Sequence, residues 1–338
     1  MNKKRVLAML LAGAMALSMT ACGGNSASTD DSSNDGGASA SGGSYKVSVI
    51  LKTLAAEYWQ YVKSGAEDYA SEHSDKVTVE VKGPSSETAF DEMQNMIETD
   101  LSSGSYDGVI ISPLQSDTAA QLVSGTKLPI VAIDTNFTAP EVKSFVGTGN
   151  EAAAKKGGEA AVEAAKAAGW TDIKCIEIAG VQGDQTNTAR MNGYKAGVEE
   201  AGGTFLSDEV QYADATADRA TTAMEAIMQT HPEGIAIICA NNDDMAMAAA
   251  RAAQGHDAYK NTIFLGFNGD RAACEAILAG QMTMSVAQMA YEMGYKAVET
   301  MVQVLDGETV DEFVDSGSDV VTPDNAQERL GTLKTQLH

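Results

Sequence analysis

Short β-branched runs alternate with Ala-rich amphipathic stretches of helical length from Tyr45 onward. YKVSVIL precedes EYWQYVKSGAEDYASEH, KVTVEV precedes ETAFDEMQNMIETDLSSG, and DGVIIS precedes SDTAAQLVSG. PIVAID, SFVG, DIKCIEIAG, GIAIICA and TIFLGF continue the series, with helical stretches such as EAAAKKGGEAAVEAAKAAG and QTNTARMNGYKAGVEEAG between them. A strand that is apolar along its whole length is covered on both faces, and strand–helix alternation supplies the cover. The pattern therefore predicts an α/β chain of doubly wound parallel sheets, in which ligands bind just past the carboxyl ends of the strands.

The N-terminus follows a different pattern. Lys3, Lys4 and Arg5 precede the apolar run VLAMLLAGAMALSMTA, which is short for a bilayer span. A basic start, an apolar middle and a small-residue end read as an export signal over residues 1–21. The segment Met19-Thr20-Ala21-Cys22 resembles a bacterial lipobox, which implies acylation of Cys22 and attachment to the outer face of the cell membrane. Residues 22–44 are almost wholly Gly, Ser, Ala, Asn, Thr and Asp and cannot bury enough apolar surface to fold, so they read as a flexible tether. Asp31, Ser33, Asp35 and Gly36 imitate the start of a calcium loop, but Gly42 stands at its twelfth position, where a bidentate Glu is required.

About 290 residues remain beyond the tether, enough for two halves with sizeable cores. Removing Lys3, Lys4 and Arg5 from 23 basic residues leaves 20 against 47 acidic ones, a net charge of −27. So acidic a surface repels nucleic acid and anionic lipid headgroups, and no nucleic-acid partner is expected. Apart from Cys22, the cysteines Cys175, Cys239 and Cys274 fit no metal spacing. Cys175 and Cys239 are expected buried on strands, and Cys274 on a helix.

Two enzyme-like patterns are weak. Gly147-Thr148-Gly149-Asn150-Glu151-Ala152 follows a strand and opens a helix, as a dinucleotide fingerprint does. The acidic residue that should end the following strand is missing, since Asp172 begins that strand and Glu177 lies inside it. A crossing between two halves, with glycines easing the turn, accounts for the segment better. No G-x-S-x-G occurs, and His73, His231, His256 and His338 are scattered in polar settings, so neither a triad nor a zinc site can be assembled. The chain is expected to be no enzyme and to need no cofactor or metal.

Six segments taken in order make the pattern specific: ILKTLAAEYWQYVKSGAE, LPIVAIDTNF, AGVQGDQTNTARMNGYKAG, ICANNDDMAMAAARA, FLGFNGD and MSVAQMAYEMGYKAVE. From Tyr45 to about Asn325 the chain resembles the ribose/arabinose/galactose-binding family of periplasmic-type sugar-binding proteins, which serve ABC transporters. The resemblance implies a type I periplasmic binding fold of two lobes, 45–147 with 288–316 and 148–287 with 317–338, joined by a hinge of three strands. It also implies a monomer that closes on a monosaccharide and delivers it to an ABC permease. Carried over residue by residue, it makes Asp134 the acceptor of two adjacent hydroxyls and Arg190 a fork of donors. Asn242 would both donate and accept, and Gln288 would stand at the hinge side. Tyr58 and Trp59 take the place of two aromatic residues, at least one of which stacks on the sugar while the other is expected in the core. Lys52 and Asn268 stand where ribose-binding members have serine and aspartate, as in the arabinose-binding members. Ala56 replaces a polar residue, and Ala217 or its neighbourhood replaces a stacking phenylalanine. These departures point away from ribose held in the usual way, toward another aldopentose or a hexose. A polyol or furanosyl signal shown to a membrane receptor is the second reading. Each residue has a structural alternative as well: Asn242 could simply cap the helix that follows it, and Lys52 could be solvated. The lactose-repressor family shares the fold, but its members begin with a helix-turn-helix where this chain has an export signal.

Overall fold

The computed structural model describes residues 44–337, within a compact unit of residues 43–338. The expected signal, Cys22 and all of the tether before Ser44 lie outside the described residues.

From the start the chain runs β1 (Tyr45–Ile50), α1 (Glu57–Glu72), β2 (Val77–Lys82), α2 (Phe90–Ser102), β3 (Gly108–Ile111), α3 (Ser116–Leu122), β4 (Ile130–Ile133) and β5 (Val142–Gly147). It continues through α4 (Asn150–Ala167), β6 (Lys174–Ala179), α5 (Gln185–Glu200), β7 (Thr204–Phe205), β8 (Gln211–Tyr212), α6 (Ala217–Thr230), β9 (Ile237–Ala240) and α7 (Asp243–Ala252). The rest is β10 (Ile263–Asn268), α8 (Arg271–Leu278), β11 (Met284–Gln288), α9 (Ala290–Leu305), β12 (Phe313–Asp315), β13 (Ser318–Val321) and α10 (Ala326–Leu333).

These strands form two sheets. The first has the order β2-β1-β3-β4-β5-β12 and is parallel throughout. The second has β6 paired with both β7 and β8, then β9-β10-β11-β13, and is parallel except for β13, which runs antiparallel to β11. Successive side chains of a strand face opposite ways, so the apolar runs feed both faces. Val109 and Ile111 join Met93, Ile97 and Leu114 on one side of the first sheet, while Ile110 joins the cluster under α1 and α9 on the other. In the second sheet Cys175, Ile237, Cys239, Leu265 and Val286 pack under α4 and α5.

The chain passes between the sheets three times. It leaves β5 at Gly147 and enters α4, which packs on the second sheet; this is the segment that imitates a dinucleotide fingerprint. It returns after Gln288 into α9, which packs on the first sheet beside α1, and crosses again between Asp315 and Ser318. Near these crossings Thr148 Oγ1 and Ser316 Oγ lie 3.3 Å apart. The α1–α9 contact depends on two facing glycines. A methyl group at Gly65 would collide with the Tyr291 carbonyl, and one at Gly294 with the Val62 carbonyl, so the helices meet backbone to backbone. Cys175 and Cys239 are buried free thiols on neighbouring strands, their sulfurs 3.4 Å apart, and Cys274 is buried on α8.

Candidate functional site

Both sheets point their carboxyl ends toward the space between them, and a cavity lies there with about 600 Å³ of empty space, open solvent included. All eight residues expected to bind, Lys52, Tyr58, Trp59, Asp134, Arg190, Asn242, Asn268 and Gln288, line this cavity.

Four of them come from the first half. Asp134 ends β4 in the left-handed region, φ 63°. Its carboxylate accepts from the Tyr58 hydroxyl at 2.8 Å and from Thr135 Oγ1 at 2.9 Å. Burial, and then the neighbouring Asp134, hold the Tyr58 phenol well above its usual pKa, so it stays a donor. Trp59 gives Nε1–H to Glu87 at 2.9 Å and meets Tyr58 edge to face, 4.9 Å between centroids. Both rings are almost fully buried and both line the cavity, so the division of one ring to the site and one to the core does not hold. Neighbours on one helix turn can share a cavity wall when the helix points its first turn at it, as α1 does here.

Lys52 is not a solvated lysine. It is 4% exposed and ion-paired with Asp184, which caps α5 in the other half. Burial pulls its pKa down, but Asp184, Asp134 and Glu87 outweigh that and the net displacement is upward, which keeps the ammonium charged. Thr135 and Thr186 add a second link between the halves at 2.7 Å.

The second sheet and its helices supply the rest, with Gln288 at the end of β11, where the chain leaves that sheet for the first half. Arg190 on α5 donates Nε–H to Asn150 Oδ1 and Nη1–H to the Asn241 carbonyl, both at 2.8 Å, and lies 3.8 Å above the Phe267 ring. Among the described residues its Nη2 hydrogens have no such partner. Asn242 does cap α7: its Oδ1 accepts from Met245 N at 2.9 Å while Nδ2 reaches the Ala215 carbonyl. An amide nitrogen has two hydrogens, so the cap leaves one donor for the cavity. Asn268 ends β10 at φ 132° and receives Gln288 Nε2–H on Oδ1 at 3.0 Å. Gln288 Oε1 is buried and has no hydrogen-bond partner among the described residues. Among the described residues four non-glycine positions have positive φ, and three of them, Asp134, Ala215 and Asn268, line this cavity. Strained backbone gathers where function fixes side-chain direction.

The sequence reading did not pick out Glu87, Asp184, Thr186, Asn241, Asp244 and Asp270, which also line the cavity. Asn241 and Asp270 lie one and two residues past β9 and β10, so the strand-end rule could have found them. Asp184 reads as a helix cap, which it is, and nothing local reveals that its second oxygen faces Lys52. In the neighbourhood of Ala217 it is Ala215 that lines the cavity.

Beneath the floor, Glu177 on β6 is fully buried. Its Oε1 accepts from Asn241 Nδ2 at 3.0 Å, and its Oε2 has no partner among the described residues. Burial, only partly offset by Asn241 and Arg190, pushes its carboxyl up to about 8, so it is protonated at neutral pH.

The periplasmic binding protein domain family matches residues 47–309. The D-allose-binding periplasmic protein of Escherichia coli (strain K12) is 30% identical over 265 residues, covering 75% of this chain and 83% of that protein. Two solved structures share the fold. An ABC transporter solute-binding protein from Agrobacterium vitis with bound D-fucose has TM-score 0.76 at 23% identity, over 87% of this chain and 100% of that one. A carbohydrate transporter solute-binding protein from Agrobacterium radiobacter in complex with D-arabinose has TM-score 0.77 at 23% identity, over 87% and 99%.

Proposed function

The chain belongs to the periplasmic binding protein family, and on that premise we propose that it captures a monosaccharide, an aldopentose or a hexose, and delivers it to an ABC permease. Its homologues are binding proteins of transport systems and not enzymes, and on this reading the chain holds and releases its ligand unchanged. Lipidation of Cys22 anchors the monomer to the outer face of the membrane through the tether. The lobes are 45–147 with 288–316 and 148–287 with 317–338, and the three crossings between the sheets are the hinge.

One observation carries the reading: polar side chains from both halves converge on one cavity, with Lys52 and Asp134 on one side and Arg190, Asn242 and Asn268 on the other. A sugar offers a ring of hydroxyls, each donor and acceptor, and two partly apolar faces. Asp134 accepts hydroxyl protons, Arg190 and Asn242 donate, and Tyr58 and Trp59 supply aromatic surface. A ligand that bridges the halves stabilises the closed arrangement over the open one, which is how binding drives closure.

The Lys52–Asp184 pair acts as a latch across the closing gap. Lys52→Met removes a charged hydrogen bond worth about 1.5–3 kcal/mol, and the loss falls on the closed state because Asp184 regains water when the lobes part. Ligand-free Lys52→Met should have a larger radius of gyration in small-angle scattering than the ligand-free native protein, and saturating sugar should bring it back. One radius for native, variant and saturated variant would sink the hinge-bending reading.

A further inference from the structure

The charges and donors around the cavity are out of balance, and this narrows the ligand if the cavity holds a hydroxylated small molecule as proposed above. Two cations, Lys52 and Arg190, line it against five carboxyl groups, those of Glu87, Asp134, Asp184, Asp244 and Asp270. The field at Lys52 comes from Asp184, Asp134 and Glu87. Asp270 is buried elsewhere in the cavity; burial first, and then the negative charges of Asp243, Glu57 and Asp244, hold its carboxyl well above the ordinary carboxylate range, and a cation bound beside it would oppose both. The nearby guanidiniums are committed: Arg271 gives Nε–H to Glu57 at 3.3 Å, and Arg329 bonds the carbonyls of Gly269 and Gln288 and the Met289 sulfur.

Gln288 is an independent sign of what belongs there. It lines the cavity, is 0% exposed, and its Oε1 has no donor among the described residues. Gln288 Nε2 donates to Asn268 Oδ1, and Asn268 Nδ2 donates to Asp270 Oδ2 at 3.4 Å. As placed, the relay has Asp270 accepting the Asn268 amide hydrogen, which is the role an ionised carboxylate must take once a cation lies beside it. The relay thus ends in an acceptor on both sides, the Gln288 oxygen and the Asp270 carboxylate. A sugar hydroxyl brings one hydrogen and no charge; an ammonium brings three hydrogens and a positive charge. A buried acceptor left unpaired costs free energy, so the group that fills several at once is favoured.

We propose that the ligand is an amino sugar or an equivalent amino-polyol, its protonated amine held by Gln288 Oε1, Asp270 and Asp244 and its hydroxyls facing Lys52, Asp134 and Arg190. The test is calorimetric titration at pH 7 of the compact unit 43–338, refolded to strip carried-over ligand. Glucosamine, galactosamine and mannosamine are compared with glucose, galactose and mannose. At least one amine binds tenfold or more tighter than its neutral counterpart, and N-acetylation, which removes the charge, abolishes the gain. Asp270→Asn and Asp244→Asn bring the amine-to-neutral ratio toward one; Asp244 is exposed at the cavity edge, so its variant tests the charge without disturbing a buried residue. A neutral sugar that binds as tightly as its amine or tighter overturns the proposal and leaves the sugar-binding reading standing. Silence from all six sugars and their N-acetyl forms overturns the amino-sugar proposal and leaves the sugar-binding reading to be decided by pentoses, polyols and furanosyl compounds.

Discussion

Arg190→Ala lowers affinity for the ligand by about 2–5 kcal/mol, a loss of roughly 30-fold to several thousand-fold. Truncation of a buried charged hydrogen-bond partner is expensive because the groups it served are left unpaired. Arg190 serves Asn150 Oδ1 and the Asn241 carbonyl within the protein and directs its remaining hydrogens at the cavity. Some loss of unfolding stability accompanies the substitution, since the stack on Phe267 goes as well. Asp134→Ala should weaken binding on the same scale, but alanine also fits poorly at φ 63°. Asp134→Asn separates the two effects, because asparagine tolerates that backbone and keeps the shape while losing the charge. Titration calorimetry on the three variants, with thermal unfolding of each ligand-free protein as the control for folding, gives the answer. Unchanged affinity in all three would sink the site assignment.

The second large effect is on stability and runs through Glu177. Its folded-state pKa, about 8, stands above the ordinary carboxylate value near 4.5. Between those two values the folded protein binds more protons than the unfolded chain, so stability falls as pH rises. The contribution is fully present below about 4.5 and is lost once the pH passes about 8. Converted at 1.36 kcal/mol per pH unit, the loss is at most about 5 kcal/mol. Glu177→Gln keeps an acceptor for Asn241 and cannot ionise, so it removes this component. Native protein and variant should therefore unfold at similar temperatures at pH 5, while at pH 9 the variant unfolds several degrees higher. Every other titrating group is common to both, so the difference isolates Glu177. Parallel melting curves across that range would show that the carboxyl is not held protonated.

How much of this was legible in the sequence depended on whether the signal was local. Strand ends are local: apolar runs stop at Ile133 and Phe267, and the polar residue that follows or ends each strand, Asp134 or Asn268, projects where the sheet projects it. The fold class followed from the same alternation, and only the antiparallel β13 departs from it, because it reaches its sheet directly from β12 through a short crossing that turns the chain back. Partners across the gap were not legible. Lys52 and Asp184 are 132 positions apart, and each has a sufficient local explanation, a strand-end lysine and a helix cap. The paired roles of Tyr58 and Trp59 were hidden for a related reason: their acceptors, Asp134 and Glu87, arrive from separate loops. The acidity around Asp270 was also invisible, since it is assembled from α1, α7 and the turn after β10.

The central claim is that a sugar binds in this cavity, held from both halves. The most direct test is calorimetric titration of the refolded compact unit with aldopentoses, hexoses, their amino forms, polyols and furanosyl compounds, alongside Arg190→Ala under the same conditions. The account predicts saturable one-to-one binding of at least one sugar by the native protein, weakened by roughly 30-fold or more in the variant. Silence across the panel, or binding that Arg190→Ala leaves intact, would contradict it.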